Sequence, residues 1–236
     1  MTQIRVRLQS VNKKPLPFPK SLVKTVYNFI GFPFRTILLT EPLAEKAGFT
    51  SLQQERINAV WPHLHERVLD IGAGNNRLIN LYGNGVGVDV YDWKGGAQIL
   101  ANTATLPFAD DEFDTITLVA CLNHIPTRQI TLKEAYRVLR PGGRCLVTMI
   151  NPIIGSLAHT LLWHEESHER GMEKDELNGL WNRQTIELMS GAGFQLTQIE
   201  PFFYGLNNLF VAVKPENQKS SLGRPIDMTP DIAGYA

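Results

Sequence analysis

From residue 67 onward, short apolar runs alternate with stretches of mixed polar and apolar character. The runs do not alternate strictly between polar and apolar residues, which is typical of parallel strands buried on both faces of a sheet. They predict five strands: RVLDIG (67–72), GVGVDV (85–90), GAQILAN (96–102), FDTITLVACL (113–122) and RCLVTMI (144–150).

Helical periodicity appears between and after these strands. Apolar residues at relative positions i, i+3, i+4 and i+7 predict an amphipathic helix after the fourth strand, which Pro-Gly-Gly at 141–143 would end. These residues are Leu132, Ala135, Tyr136 and Leu139. A second helix is expected near 183–190, before two last strands, FQLTQIE and NLFVAV. Strands that alternate with helices predict an α/β, doubly wound sheet, whose ligands bind at the carboxyl ends of the strands.

The N-terminal part has a different pattern. The stretch 21–47 is apolar and aromatic and predicts two short helices, broken at Gly31-Phe32-Pro33. The next helix is expected to begin at Ser51, because Gln54 completes a capping box with it. The expected organisation is a cap segment at 1–50, a core at 51–214 and a polar tail at 215–236.

Composition narrows the class of protein. The 236 residues carry 23 Lys and Arg against 23 Asp and Glu, so the basic excess of most nucleic-acid-binding domains is missing. Cys121 and Cys145 lie inside apolar runs and are expected to be buried, reduced thiols. The sequence shows no signal peptide and no run of about 18 apolar residues that would span a bilayer. A cytoplasmic protein is therefore expected.

Acidic residues and glycines stand where the first two strands end. Asp70-x-Gly72-x-Gly74 allows a tight turn and a close approach to a ligand, although an ordinary strand-to-helix turn has the same pattern. Asp89 ends the second strand, 19 residues after Asp70, where an acid binds ribose hydroxyls. Arg77 occupies the place of the third glycine of a dinucleotide-binding loop, which disfavours a Rossmann-type dinucleotide enzyme.

Four motifs in sequence order resemble those of the class I S-adenosylmethionine-dependent methyltransferases: VLDIGAG, GVGVDV, LPFADDEFD and RVLRPGG. The likeness is to the small-molecule group that includes the ubiquinone/menaquinone C-methyltransferases, and it covers about residues 67–150. It implies a Rossmann-like, mostly parallel seven-stranded sheet with an antiparallel final strand. It also implies S-adenosylmethionine as the cofactor, a small-molecule substrate and a lid insertion after the fifth strand, at 151–181.

The resemblance also implies roles for residues at the strand ends. The glycine loop would lie under the methionine part of the cofactor, Asp70 would help to bind its amino group, and Asp89 would hold the ribose hydroxyls. Asn102 stands where the family often has an aspartate at the adenine. Backbone groups after the fourth strand would meet the methionine end. The candidate cofactor-binding residues are Asp70, Gly72, Gly74, Asn75, Asp89, Val90, Asn102, Thr103, Ala120 and Cys121.

The sequence departs from the family pattern at two places. Asn76 replaces a glycine that is common in the first loop. Asn102 stands only 13 positions after Asp89, so the second crossover helix is expected to be reduced to a loop, Tyr91–Gly96. Tyr91 or Trp93 would then either lie against the adenosine or fill the space of the missing helix.

The methyl acceptor needs a base if it is an oxygen or an activated carbon. His124 directly follows the fourth strand and is the first candidate, with the alternative that it caps or fixes the local loop. Tyr204, between the last two strands, is the second. The predicted activity is methyl transfer to oxygen or carbon of a small, hydrophobic molecule. A non-catalytic protein with the methyltransferase fold, which would bind the cofactor or a partner, is the alternative.

The stretch His164-Glu165-Glu166-Ser167-His168 matches the H-E-x-x-H pattern of zinc peptidases. A zinc site needs a further ligand, and His168 is the last histidine of the chain. A glutamate such as Glu187 could serve in principle but falls in the last helix that the resemblance implies, so no metal is expected. The stretch is interpreted as a polar face of the lid or as a substrate contact. The apolar N-terminal segment would line a substrate pocket, lie on a membrane surface or simply pack over the sheet.

Overall fold

A computed structural model describes residues 15–32, 41–153, 156 and 177–216. Within them, seven strands form one sheet in the order β3-β2-β1-β4-β5-β7-β6. The strands are β1 (Val68–Ile71), β2 (Gly85–Asp89), β3 (Gln98–Ile99), β4 (Phe113–Val119), β5 (Leu139–Ile150), β6 (Gln195–Phe202) and β7 (Asn207–Val213). Strand β7 runs antiparallel to both β5 and β6, and β1 to β5 pair in parallel. The predicted fold class, a mostly parallel seven-stranded sheet with an antiparallel final strand, is confirmed.

Helices cover the sheet and form part of the N-terminal segment. Those described are α1 (Leu22–Ile30), α2 (Glu41–Lys46), α3 (Leu52–Val60), α4 (Arg77–Tyr82), α5 (Arg128–Val138) and α6 (Asn182–Gly191). Short 3-10 helices span Trp61–His63 and Leu122–His124. Helix α3 begins as predicted, because the Ser51 hydroxyl accepts from Gln54 N while the Gln54 side chain accepts from Ser51 N.

Two clusters of buried apolar side chains fix the helices to the sheet. Helices α3 and α4 pack on one of them through Ile57, Val60, Leu78, Ile79 and Tyr82. Helices α5 and α6 pack on the other through Leu132, Ala135, Val138 and Met189. Neighbouring residues of a strand serve different clusters, as Leu146 and Val147 of β5 do. Burial on both faces explains why the strand sequences are apolar without alternation.

The fourth strand was predicted over 113–122 and ends at Val119. Two further predicted boundaries were wrong. Leu139 was assigned to the apolar face of a helix, but α5 ends at Val138 and Leu139 begins β5, where it pairs with Phe113 of β4. The third strand was predicted over 96–102 and has only two residues, which pair with Val88 and Asp89. In both places pairing with a neighbouring strand, rather than local periodicity, sets the boundary.

Other predictions fall partly or wholly outside the described residues. The N-terminal segment is described through α1 and α2, whereas most of the expected lid and the tail from residue 217 are not. The HEESH stretch, residues 164–168, lies outside as well. Among the described residues, no helix has the length and apolar character needed to cross a membrane.

Candidate cofactor and substrate site

The strand order reverses between β1 and β4. Strand β1 pairs in parallel with β2 on one side and with β4 on the other, so the carboxyl ends of all three lie at one edge of the sheet. The chain leaves β1 and β4 toward opposite sides of the sheet, and a crevice between such strands is where α/β folds bind ligands. Most of the candidate cofactor residues come from these three strand ends.

The glycine loop after β1 requires glycine for two reasons. Gly72 and Gly74 have positive φ angles of 71° and 54°, a region that side chains with a Cβ rarely adopt. Gly72 also faces the segment after β4, since a Cβ built on it would lie 2.5 Å from the Cβ of Cys121. The loop can therefore lie close to the end of β4 only because Gly72 has no side chain.

Asn76 takes the backbone conformation that explains its departure from the family pattern. Its φ and ψ are 57° and 22°, in the left-handed region that glycine adopts freely and asparagine tolerates best among the other residues. A Cβ on Gly87 of β2 would lie 2.0 Å from Asn76 Oδ1, so this glycine makes room for the amide. The glycine-to-asparagine change thus keeps the loop geometry.

Asp89 joins the end of β2 to the glycine loop. Its Oδ2 accepts from Gly74 N at 2.8 Å, and its Oδ1 accepts from Val90 N at 2.8 Å and Tyr91 N at 3.1 Å. A carboxylate oxygen accepts about two hydrogen bonds, so Oδ2 retains capacity for a ligand hydroxyl. This carboxylate is oriented before any ligand binds and fits the ribose of S-adenosylmethionine.

Asp70 is buried at the end of β1, and the Thr117 hydroxyl of β4 donates to its Oδ1 at 2.6 Å. Burial raises the pKa of Asp70 to about 7; the bond from Thr117 opposes this rise and the charge of Asp89 adds to it. Burial raises the free energy of an ionised carboxylate that has no cationic partner, and a nearby cation would favour the ionised form. Asp70 therefore fits the positively charged methionine end of the cofactor.

The segment after β4 closes the other side of the crevice. Ala120 has a positive φ of 54°, and its N–H donates to Thr148 Oγ1 of β5 at 2.9 Å. The Cys121 thiol donates to Ile71 O at 2.9 Å, and burial raises its pKa well above the ordinary value. It is a neutral thiol, half-buried, whereas Cys145 is fully buried, and both are free.

The two residues expected near the adenine are engaged locally. Asn102 Oδ1 accepts from Ala104 N at 3.0 Å, which makes a turn. The buried Thr103 hydroxyl bonds to the Thr131 hydroxyl of α5 at 2.9 Å. Of these two side chains, only that of Asn102 is exposed, so Thr103 would contribute to a cofactor site through its backbone.

A loop replaces the second crossover helix, as predicted. Its Gly95 lies against the glycine loop, because a Cβ built there would lie 2.1 Å from Asn75 O. The rings of Tyr91 and Trp93 meet edge to face, with centroids 4.7 Å apart. The loop therefore supports the glycine loop directly, and both rings are half-buried beside the end of β2.

His124 ends the 3-10 helix that follows β4 and is half-buried. The neighbouring Asn123 fixes this segment: its Nδ2 donates to Leu177 O at 2.8 Å, and its own carbonyl accepts from Leu177 N at 3.0 Å and from Arg128 Nη2 at 2.8 Å. His124 is thereby held at the carboxyl edge of the sheet.

Tyr204 lies in the turn between β6 and β7, at the same edge, because β6 runs parallel to β5. Its ring contacts Phe29 and Phe32, with centroid distances of 5.7 and 4.9 Å. A small pocket opens between this turn, α1 and α3, and is lined by Lys20, Thr25, Asn28, Glu55, Phe203 and Tyr204. Apart from Tyr204, these pocket residues were not predicted; Asn28, a polar residue in an apolar helix, was the available signal.

Among the described residues, no group of three or more His, Cys, Asp and Glu side chains is arranged to hold a metal ion.

Residues 69–147 match the sequence family described as a methyltransferase domain. The ubiquinone/menaquinone biosynthesis C-methyltransferase UbiE of Citrobacter koseri is 34% identical over 113 residues, covering 48% of this chain and 41% of the relative. A demethylmenaquinone methyltransferase of Bacillus cereus is 27% identical over 146 residues, covering 56% and 62%. The chain thus spans about half the length of these curated relatives.

A solved structure has a similar fold. The 1,6-didemethyltoxoflavin-N1-methyltransferase of Burkholderia thailandensis, solved with 1,6-didemethyltoxoflavin and S-adenosylhomocysteine, has a TM-score of 0.52 at 16% identity, covering 87% of this chain and 94% of that one. This likeness is one of fold. The sequence matches indicate, over about residues 69–147, a class I S-adenosylmethionine-dependent methyltransferase domain that resembles UbiE. S-adenosylmethionine is the cofactor of this domain.

Proposed function

We propose that the whole protein transfers a methyl group from S-adenosylmethionine to an oxygen or carbon of a small, hydrophobic molecule. The observation that carries the proposal is the Asp89 carboxylate, which is fixed by three backbone N–H groups beside the glycine loop. When bound, S-adenosylmethionine supplies a methyl group on a positively charged sulfur. Asp89 would bind the ribose, Asp70 would face the amino group, and the crevice would align the acceptor for in-line attack, which contributes about 7–11 kcal/mol in favourable cases.

Asp89→Asn tests the cofactor part of this proposal. The substitution keeps one acceptor oxygen but removes the charge, so we expect S-adenosylhomocysteine to bind about 10- to 100-fold more weakly in calorimetric titration. Asp92→Asn, in the same loop but exposed, is the matched control and should bind normally. Equal affinities in both folded variants would contradict the assignment, and binding of NAD in place of S-adenosylhomocysteine would indicate a dinucleotide enzyme.

The pocket between α1, α3 and the β6–β7 turn supports a hydrophobic acceptor. Phe203 and Tyr204 line it, Phe32 packs against both rings, and Lys20 pairs with Glu55 at its polar side. The names of the relatives, which refer to quinone biosynthesis, favour an aromatic acceptor with a ring oxygen or carbon. Formation of S-adenosylhomocysteine with a panel of quinols, phenols and fatty acids would identify the class.

His124 is the proposed base, because it is held at the carboxyl end of β4, and Tyr204 is the second candidate. With an accepted substrate, His124→Ala should lower the rate of methyl transfer about 10²- to 10⁴-fold and leave S-adenosylhomocysteine affinity unchanged. Tyr204→Phe is the parallel variant. A loss below threefold in His124→Ala with a large loss in Tyr204→Phe would transfer the role to Tyr204; a loss of cofactor affinity would show that His124 shapes the cofactor site.

A further inference from the structure

Helix α1 turns its polar side toward the protein and its apolar side toward solvent. Asn28 is its buried residue: Nδ2 donates to Thr50 Oγ1 at 2.9 Å, and Oδ1 accepts from Thr50 N at 3.0 Å. The Tyr27 hydroxyl donates to Ala47 O at 3.0 Å, and its ring stacks on Phe49 with centroids 4.4 Å apart. A surface helix ordinarily buries its apolar side. The orientation of α1 is inverted, and specific contacts hold it in place.

The outward side of α1 is a continuous apolar face. Five large side chains occupy relative positions i, i+1, i+4, i+7 and i+8, which share one side of a helix. Their exposed fractions are 81% for Leu22, 79% for Val23, 49% for Val26, 66% for Phe29 and 71% for Ile30. Single exposed apolar residues are common, but a grouped set of this kind marks an interaction surface.

Charged residues are unevenly distributed between the sequence segment that contains α1 and the rest of the chain. The first 40 residues contain no Asp or Glu and seven basic residues: Arg5, Arg7, Lys13, Lys14, Lys20, Lys24 and Arg35. Because the whole chain has 23 basic and 23 acidic residues, positions 41–236 carry 16 basic and 23 acidic ones. The segment that contains α1 therefore has a formal charge of +7, and the rest of the chain has −7. This segment is complementary to an anionic surface.

We propose that the apolar face of α1 inserts into the interface of an anionic lipid bilayer, an occupant that the net positive charge of the first 40 positions favours. An amphipathic helix with aromatic and aliphatic residues on one side, in a segment of net positive charge, is the type that lies in this interface. A second copy fits less well, because it would bring two segments of charge +7 together. Thr25 and Asn28 of α1 line the pocket, so docking would bring the pocket to the bilayer surface.

Vesicle sedimentation of the full chain tests this proposal without an assay of methyl transfer. The protein should pellet with phosphatidylcholine vesicles that contain phosphatidylglycerol, much less with phosphatidylcholine alone, and less as salt is added. Ile30→Glu should reduce anionic-vesicle binding about tenfold or more. Ile130→Glu makes the same charge change at a 52% exposed isoleucine of α5 and should bind like the unchanged protein.

Three results would overturn the proposal. In the first, the unchanged protein would remain in the supernatant with anionic vesicles. In the second, Ile30→Glu and Ile130→Glu would bind the vesicles alike. In the third, the chain would self-associate in sedimentation velocity, Ile30→Glu would abolish this, and vesicles would not bind; the face would then belong to a second copy. Circular dichroism checks folding, and Val23→Glu, at a 79% exposed position, replaces Ile30→Glu if that variant does not fold.

Discussion

At the scale of single residues, the sequence predicted which side chains end the strands but not their hydrogen-bond partners within the folded protein. Asp70, Gly72 and Asp89 were found because a strand end and a glycine turn are local signals. The Thr103 hydroxyl bonds to Thr131, which lies 28 residues further along the chain. Such a partner follows from the packing of α5 on the sheet, and no local pattern contains it.

The buried carboxyl of Asp70 makes stability depend on pH. Its pKa is raised from 3.8 to about 7 in the folded state, so the folded protein holds this proton over a range in which the unfolded chain has lost it. Stability contributed by this group is therefore lost as pH rises from about 4 to 7. Asp70→Asn removes the titration and should stabilise the protein more at pH 8.5 than at pH 5, by an extra amount on the order of 2 kcal/mol.

Urea unfolding of both proteins at the two pH values measures this difference. The exposed Asp92→Asn variant is the control for the change from carboxylate to amide. Equal effects of Asp70→Asn at pH 5 and pH 8.5 would mean that Asp70 ionises normally in the folded chain.

At the scale of elements, sequence patterns were most reliable where burial is extensive, either on one face of a helix or on both faces of a central strand. The capping box of α3 and the core strands β1, β2 and β4 were predicted nearly at their observed positions. The end of α5 was not, because Leu139 satisfies the helical period and also pairs with Phe113 of β4. The inverted orientation of α1 could not be predicted either, because hydrophobic periodicity shows that a helix has an apolar face but not whether that face points to the core or to solvent.

The loop that replaces the crossover helix after β2 packs against the glycine loop at Gly95. In Gly95→Ala the added Cβ would meet Asn75 O, a backbone atom that cannot move without the glycine loop. We expect the loop to shift and S-adenosylhomocysteine to bind about tenfold more weakly, since overpacking costs about 1–3 kcal/mol. Calorimetric titration measures the loss.

Gly96→Ala provides the matched control for that variant. Gly96 has a positive φ of 83°, but a Cβ there would meet no atom within 4 Å. The Gly96→Ala substitution should lower the free energy of unfolding through backbone strain and leave the affinity for S-adenosylhomocysteine nearly unchanged. Equal losses of affinity in both variants would show that loop strain, rather than contact with Asn75, affects the site.

At the scale of the whole molecule, cofactor affinity and folding stability depend on the same contacts. Asp89, Gly72 and the segment after β4 join three strands that are distant in sequence, so a ligand bound across them stabilises the sheet where its order reverses. At a concentration about 100 times its Kd, a ligand adds about 2.7 kcal/mol, which raises Tm by roughly 5–10 °C in a chain of this size.

S-adenosylhomocysteine should therefore raise the melting temperature of the unchanged protein by that amount, as measured by scanning calorimetry. The rise should grow with the logarithm of ligand concentration, because it reflects mass action on the folded state. NAD at the same concentrations should leave Tm unchanged, since Arg77 stands where a dinucleotide loop needs glycine. Asp89→Asn should need about 10 to 100 times more S-adenosylhomocysteine for the same rise, in proportion to its weaker binding. A rise that is equal in the unchanged protein and in Asp89→Asn would place the ligand away from the end of β2.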